Sequence, residues 1–422
     1  MRSGLANLVR PLRQRDFALL ASGQSLSNLG DALFEVALPL LALTIGSATD
    51  LGVVLGCYGV SRIAGLLLAA PAVSRFGART VMTAVDVARA LLMAVLGTMA
   101  LTGGLTVAHL IVFTIPNGLC MGLFRPAYSS LTPRLVPEEQ LPSANAVLTT
   151  SVQCAMLVGA AAGGIIAGAS GVGVALLINA ATFVASTVSL VAMARHHVPP
   201  DAVPDRTGQL RSLFSAGRTT LGALAGGHGL VVRLLSVVAL VNLLWGGLLE
   251  VSLPSLLKRD FDNYTAAYGI LLAASAAGAL VGALLIGGLP GSRQTGRLAF
   301  AAGLGQGLLL VVVPWTGDVY LAGAAMLGVG VLNSVTNVIM VSLIQVATPP
   351  DRLPHVMSLM WLLSFGMFPV SVLATGLLAT HLGPPAAMVV AGAALALGFL
   401  AGLTNPALAR SVTAIAEQSA TP

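Results

Sequence analysis

Phe34-Glu35-Val36-Ala37-Leu38-Pro39-Leu40 stands early in the chain, and 215 positions later (35 to 250) its pattern returns as Leu249-Glu250-Val251-Ser252-Leu253-Pro254-Ser255. Each copy sets an acid and a proline four residues apart inside an otherwise apolar run. Two further pairs keep nearly the same spacing. Pro137-Glu138-Glu139-Gln140-Leu141-Pro142 parallels Pro349-Pro350-Asp351-Arg352-Leu353-Pro354, and Gly52 and Gly65 parallel Gly269 and Gly282. Three matches in the same order at a near-constant offset point to a duplicated chain, the plan of rocking transporters.

The material between these markers is apolar throughout. Of 422 residues, 56% are hydrophobic and 9% charged, against roughly 25% charged in an ordinary soluble chain. Mean hydropathy is +0.91. So few charges do not cover a soluble surface, and so apolar a chain is not disordered. A crossing helix needs about 20 apolar residues because hydrocarbon pairs none of its backbone groups. Unbroken runs such as 91–101 and 386–403 exclude a β-barrel. Twelve spans are expected, near 17–44, 51–73, 80–102, 106–128, 145–168, 171–194, 230–257, 265–288, 297–315, 319–345, 356–380 and 385–404. The fold class is therefore all-α integral membrane, with twelve transmembrane helices in two pseudo-symmetric six-helix halves. The halves are expected at 1–194 and 230–404, joined by a polar cytoplasmic linker at 195–229 and followed by a cytoplasmic tail at 405–422.

Charge placement orients the spans. With both termini inside, fifteen of the 21 basic residues fall in cytoplasmic segments and only Lys258 and Arg259 in external loops, as the positive-inside rule requires. The net charge of +6 then reflects topology, and no nucleic-acid partner is expected. Residues 1–16 read as a basic lead into the first span, with no cleavable signal. Cys57, Cys120 and Cys154 all fall in apolar spans and suggest neither disulfide nor metal. A high share of Ala, Gly, Leu and Arg beside a single Lys suggests a GC-rich bacterial source, and the expected location is the cytoplasmic (inner) membrane.

This plan resembles the major facilitator superfamily over the whole chain. Locally it is similar to the drug- and siderophore-efflux branch that holds enterobactin- and macrolide-exporter-like proteins. The carrying segments are Ser27-Asn28-Leu29-Gly30-Asp31 with Ala37-Leu38-Pro39, and Asp86-Val87-Ala88-Arg89-Ala90. Two more are Phe124-Arg125-Pro126-Ala127 through Leu135-Val136-Pro137 to Ala144-Asn145-Ala146, and Gln345 through Pro349 to Arg352. The superfamily's loop between spans two and three reads G-x-x-x-D-R-x-G-R-R/K. Arg75, Gly77 and Arg79 match it, while Ser74 replaces its Asp and Ala70 its first Gly. The latch this loop implies has lost its acid, unless Asp86 supplies a partner for Arg75 or Arg79.

Charges at membrane depth carry the functional reading, because each costs about 2.5–3.5 kcal/mol even on lenient insertion scales. Gln24, Asn28, Asp31 and Glu35 are spaced by four, three and four, so they share one face of the first span. Two acids one turn apart repel when both are ionised, and burial disfavours charge, so at least one is expected to bind a proton near neutral pH. Glu35 is the expected proton-coupling site, with Asp31 as its substitute or partner. The bland alternative has either acid paired to a neighbouring Arg, merely orienting the span. Arg62, one turn after Tyr58, is expected to need Asp31 or Glu35 as its carboxylate, either as a gate or as a permanent pair. Asp86 and Arg89, three apart, are expected near the cytoplasmic end of span three as a latch with Arg75, Arg79 or the loop between spans four and five. Arg125 reads as a cytoplasmic-edge anchor. Glu250 repeats Glu35 in the second half, with Asn242 and Gly246 on its face, and is a candidate for binding substrate or a proton.

Other candidate solute-contacting groups are Asn28, Tyr58, Asn117, Gln153, Asn179, Asn333, Asn337, Trp361 and Phe365. Amides also join helices in lipid, so each has an ordinary packing reading. Trp245, Met357 and Met360 add adaptable apolar walls suited to a bulky solute. The six histidines lie at boundaries or in loops and form no metal set. No GxxxxGK[ST] motif, nucleophile–base set or cofactor signature is present, so neither an enzyme nor an ATP-driven pump is expected, and no cofactor. The expected function is a proton-coupled secondary transporter exporting small organic compounds of the drug, antibiotic or siderophore class. It would work by alternating access, with a small-molecule substrate, protons and membrane lipid as partners and a monomer as the working form. The rivals are an importer or facilitator on the same fold, and a non-transporting receptor or scaffold.

Overall fold

Helix boundaries follow from local chemistry at each end. Ser47 caps the second helix, accepting from the Asp50 backbone N–H at 3.2 Å while Asp50 accepts from the Ser47 N–H at 2.8 Å. Asp318 caps the tenth by accepting from the backbone N–H groups of Tyr320 and Leu321. Gly77 separates the second and third helices at φ +79°, a left-handed conformation that a side chain would strain. That requirement explains why the loop between spans two and three keeps its glycine although its acid has changed.

The computed structural model describes residues 10–193, 229–287, 295–348 and 353–404. The helices are α1 (Arg15–Ile45), α2 (Ala48–Phe76), α3 (Ala78–Thr102), α4 (Val107–Leu131), α5 (Leu141–Ser170) and α6 (Val172–Ala192). In the second half come α7 (Gly229–Gly247, carried through the turn Leu248–Ser252 into Leu253–Asp260), α8 (Tyr264–Gly287), α9 (Thr295–Val312), α10 (Val319–Ala347), α11 (Leu353–Leu382) and α12 (Pro384–Thr404). Twelve helices among the described residues are long and apolar enough to cross a membrane, within a few residues of the expected spans. The expected tail at 405–422, and the expected linker apart from Gly229, lie outside the described residues.

The described residues form two compact units, one of 10–50, 57–193 and 268–270, the other of 51–56, 229–267, 271–287, 295–348 and 353–404. Their internal packing repeats. In the first unit α1 packs on α5 and α6, and α3 on α4 and α6; in the second, α7 packs on α11 and α12, and α9 on α10 and α12. Adding six to each helix number converts one pattern into the other, which is the structural form of the sequence duplication.

Each unit turns many large apolar side chains outward, among them Leu91, Val112, Val188, Leu284 and Leu397, all more than 60% exposed. A soluble protein does not show so much apolar surface; here it is the surface that meets lipid. Inside the first unit, Phe17, Met82, Val85, Phe124, Leu131, Leu148 and Leu190 form one apolar core from five helices.

Proline shapes the two helices that carry the repeated acids. Pro39 and Pro254 have no N–H to offer the carbonyl four residues back, which is Glu35 in one copy and Glu250 in the other. In α1 the helix runs on without interruption. In α7 it widens to a π-helical turn over Leu248–Ser252, where the Leu253 N–H bonds the Leu248 carbonyl five residues back.

Candidate functional site

Close helix contacts set the site in the first unit. A methyl group at Gly30 would meet Thr182 Oγ1 and Asn179 Oδ1 on α6, so α1 approaches α6 there only because that side chain is missing. Gly118 and Gly122 do the same for α4 against α2, facing the backbone oxygens of Tyr58 and Arg62. These contacts bring polar groups from α1, α3, α4 and α6 into one buried network.

Arg89 on α3 is its centre, only 2% exposed. Its Nη2 lies 2.5 Å from Asp31 Oδ1 and its Nη1 3.5 Å from Asp31 Oδ2, while its Nε donates to Asn117 Oδ1 at 3.0 Å. The guanidinium also lies over the ring of Phe183, 4.1 Å from its centroid. A buried cation is tolerated when its donors and its charge are both answered, and the fork, the amide and the ring face do so. Asp86, one turn earlier on α3, is fully buried. Its Oδ2 accepts from Ser186 Oγ at 2.6 Å, Ser186 Oγ in turn accepts from Gln24 Nε2 at 3.2 Å, and its Oδ1 has no hydrogen-bond partner.

The cation that holds Asp31 is Arg89, because the face of α1 that carries Asp31 packs on α6 beside α3, while Arg62 acts on Glu35, the other carboxylate expected for it. One sequence expectation is corrected by this geometry. Asp86 and Arg89 do not form an edge latch with Arg75 or Arg79, because their side of α3 is packed into the core against α6. Asp86 instead lies within electrostatic reach of Arg89 and Asp31. Arg79 donates to the carbonyls of Leu190 and Val191 at the end of α6, at 2.8 and 2.9 Å, and exposed Arg75 lies over the ring of Phe76.

Glu35 is the exposed member of the α1 stripe, whereas Gln24 is buried and Asn28 and Asp31 are half-buried. It feels the charges of Asp31, Arg62, Arg125 and Arg89, so one acid sits among three guanidinium groups and a second carboxylate. Arg125 therefore acts on Glu35 as well as standing near the end of α4. Tyr58 packs its ring 6.2 Å from that of Phe34 and lies within electrostatic reach of Arg62 and Arg89. Asn179 is fully buried beside Gly30, and Gln153 is exposed on α5.

The other candidates lie in the second unit. Glu250 sits half-buried on the π-helical turn of α7; Asn333 is half-buried and Asn337 exposed one turn later on α10. Trp361, 54% exposed, stacks on Phe365 along α11 with centroids 5.8 Å apart. Ser186 and Phe183 escaped the sequence reading, since a Ser and a Phe in an apolar span carry no signal until a charged partner is seen to face them.

The sequence pattern of the Major Facilitator Superfamily matches residues 20–369. The chain belongs to that superfamily. The superfamily is one of membrane transporters, and the twelve apolar helices fit its multi-pass plan. Among curated relatives, the enterobactin exporter EntS of Salmonella choleraesuis (strain SC-B67) is 28% identical over 243 residues, 56% of this chain and 55% of that one. EntS of Escherichia coli O139:H28 (strain E24377A / ETEC) is 27% identical over 246 residues, with 57% and 55% covered. The matches thus span about half the length of these exporters. Among solved structures, the nucleoside transporter NupG superposes with a TM-score of 0.70 at 12% identity, covering 92% of this chain and 99% of NupG. A bacterial homologue of the iron transporter ferroportin, in an inward-facing state, gives a TM-score of 0.68 at 16% identity, covering 93% and 99%. These structures share the fold.

Proposed function

We propose that this superfamily member is a proton-coupled exporter of small organic solutes, of the class that includes siderophores and drugs. It works by alternating access in the bacterial inner membrane, as a monomer with both termini cytoplasmic. The observation that carries the reading is Glu35: an exposed carboxyl group deep in an apolar helix, beside a second acid and within reach of three guanidinium groups. Such a group gains and loses a proton as neighbouring charges and water access change, which is what coupling to a gradient requires. Asp31 is already engaged by Arg89 and serves as its companion. Each proton crossing contributes about 2.3 kcal/mol per 100 mV, enough to concentrate a solute. The partial likeness to enterobactin exporters supports export as the direction and a siderophore-like solute as one class to try.

The test uses inside-out vesicles from cells with and without the protein, acidified inside and offered a panel of labelled siderophores and drugs. Wild type should accumulate at least one compound and release protons as it does so. Glu35→Gln should assemble normally and lose that accumulation by tenfold or more. Equal gradient-driven uptake by Glu35→Gln would exclude Glu35 as the carrier, and accumulation only in right-side-out vesicles would reverse the direction.

A further inference from the structure

One cation, Arg89, stands within reach of two acids, and only one of them holds it. Asp31 takes the guanidinium fork at 2.5 and 3.5 Å. Asp86 lies three residues before Arg89 on the same helix, where side chains are neighbours, and feels the charges of both Arg89 and Asp31. It is fully buried at 0% exposure, whereas Asp31 keeps 17%. The Ser186 hydroxyl satisfies Oδ2; Oδ1 has no hydrogen-bond partner among the described residues. An ionised carboxylate left so would be a buried charge with one oxygen unanswered, while a neutral acid there lacks only one acceptor. The facing titratable and charged groups are Asp31 from α1, Glu35 from α1, which reaches Asp31 and Arg89, Tyr58 from α2, which reaches Arg89, Arg89 itself, and Cys120 from α4. From α6 Asp86 meets only the Ser186 hydroxyl, and Arg89 the Phe183 ring.

We propose that Asp86 is a second proton holder, exchanging with Asp31 so that one guanidinium and one proton always occupy the two acids in opposite senses. In the arrangement seen, Arg89 pairs with ionised Asp31 and the proton sits on Asp86. In the other arrangement the O–H bond at Asp86 breaks, its electron pair remaining on oxygen, and the same proton forms an O–H bond at Asp31. Arg89, still cationic, turns to Asp86. The three groups sum to zero charge in both arrangements, so the exchange never strands a charge in the core. It would tie the protonation of α1 to a movement between α1 and α3. This role in transport rests on the proton-coupled reading above; the test does not.

The test is infrared spectroscopy of the purified full chain in detergent at neutral pH. Wild type minus Asp86→Asn should contain the carbonyl stretch of one protonated carboxyl group. Asp31→Asn, which mimics a permanently protonated Asp31, should send Arg89 to Asp86. Asp31→Asn minus the Asp31→Asn/Asp86→Asn double variant should therefore lack that band and show a carboxylate band instead. Ser186→Ala should shift the band in frequency without abolishing it, and it supplies the reading if Asp86→Asn does not fold. No protonated-carboxyl band in the first difference, and no shifted pair with Ser186→Ala, would overturn the proposal. So would a band that persists in the second difference, since a merely structural Asp86 would not answer to Asp31. Unchanged transport by Glu35→Gln would remove the carrier reading and leave these spectra as they are.

Discussion

Arg89 is surrounded by a carboxylate fork, an amide oxygen and an aromatic face, three answers to one desolvated charge. Removing one partner of such a pair leaves the other buried and alone, at about 3–5 kcal/mol. Arg89→Gln is therefore expected to lower the thermal unfolding midpoint in detergent more than any surface arginine substitution, such as Arg75→Gln. Adding Asp31→Asn to Arg89→Gln should recover most of that loss, because no uncompensated carboxylate remains. Arg89→Lys should fall between, keeping the charge but not the fork. A double variant no more stable than Arg89→Gln alone would mean that Asp31 and Arg89 contribute independently.

Helix approach is governed by positions without side chains. At Gly122 the nearest atoms to an added methyl would be backbone atoms of α2, including the Arg62 carbonyl and the Leu66 nitrogen, and backbone gives way poorly. Gly122→Val should cost about 1–3 kcal/mol through overpacking and move α4, with Arg125, away from α2 and Arg62. Unfolding midpoints check the first effect. The second should appear as loss of the proposed transport with a normal amount of protein in the membrane. Gly323, which faces open space, is the control: Gly323→Ala should leave both readouts unchanged. At the same scale, the repeated proline accompanies a π-helical turn only at Glu250. Proline four residues on removes the donor its carbonyl would use, and Pro39 removes the equivalent donor for Glu35 without a change of helix type.

At the scale of the molecule the topology proposal is open to a direct check. In a background with Cys57, Cys120 and Cys154 replaced by Ala, Arg259→Cys should react with a membrane-impermeant maleimide in intact cells. Arg134→Cys should react only after permeabilisation. The opposite result would invert the chain in the membrane and place its basic segments outside, against the bias that cytoplasmic loops carry.

Twelve spans, their duplication and the family resemblance were all legible in the residues, because lipid imposes a length and composition on each crossing helix and a repeat survives as spacing. The acids at 31, 35, 86 and 250 were legible too, since charge in an apolar run stands out. Pairing was not. Whether Asp31 meets Arg62 or Arg89 depends on which faces of α1, α2 and α3 turn toward one another, and that is set by glycines on facing helices and by packing across the unit. Linear spacing shows which residues share a face of one helix; it carries nothing about which helix lies opposite. Only the folded first unit decided that Asp31 goes to Arg89, that Asp86 is sealed beside Ser186, and that Glu35 stays open.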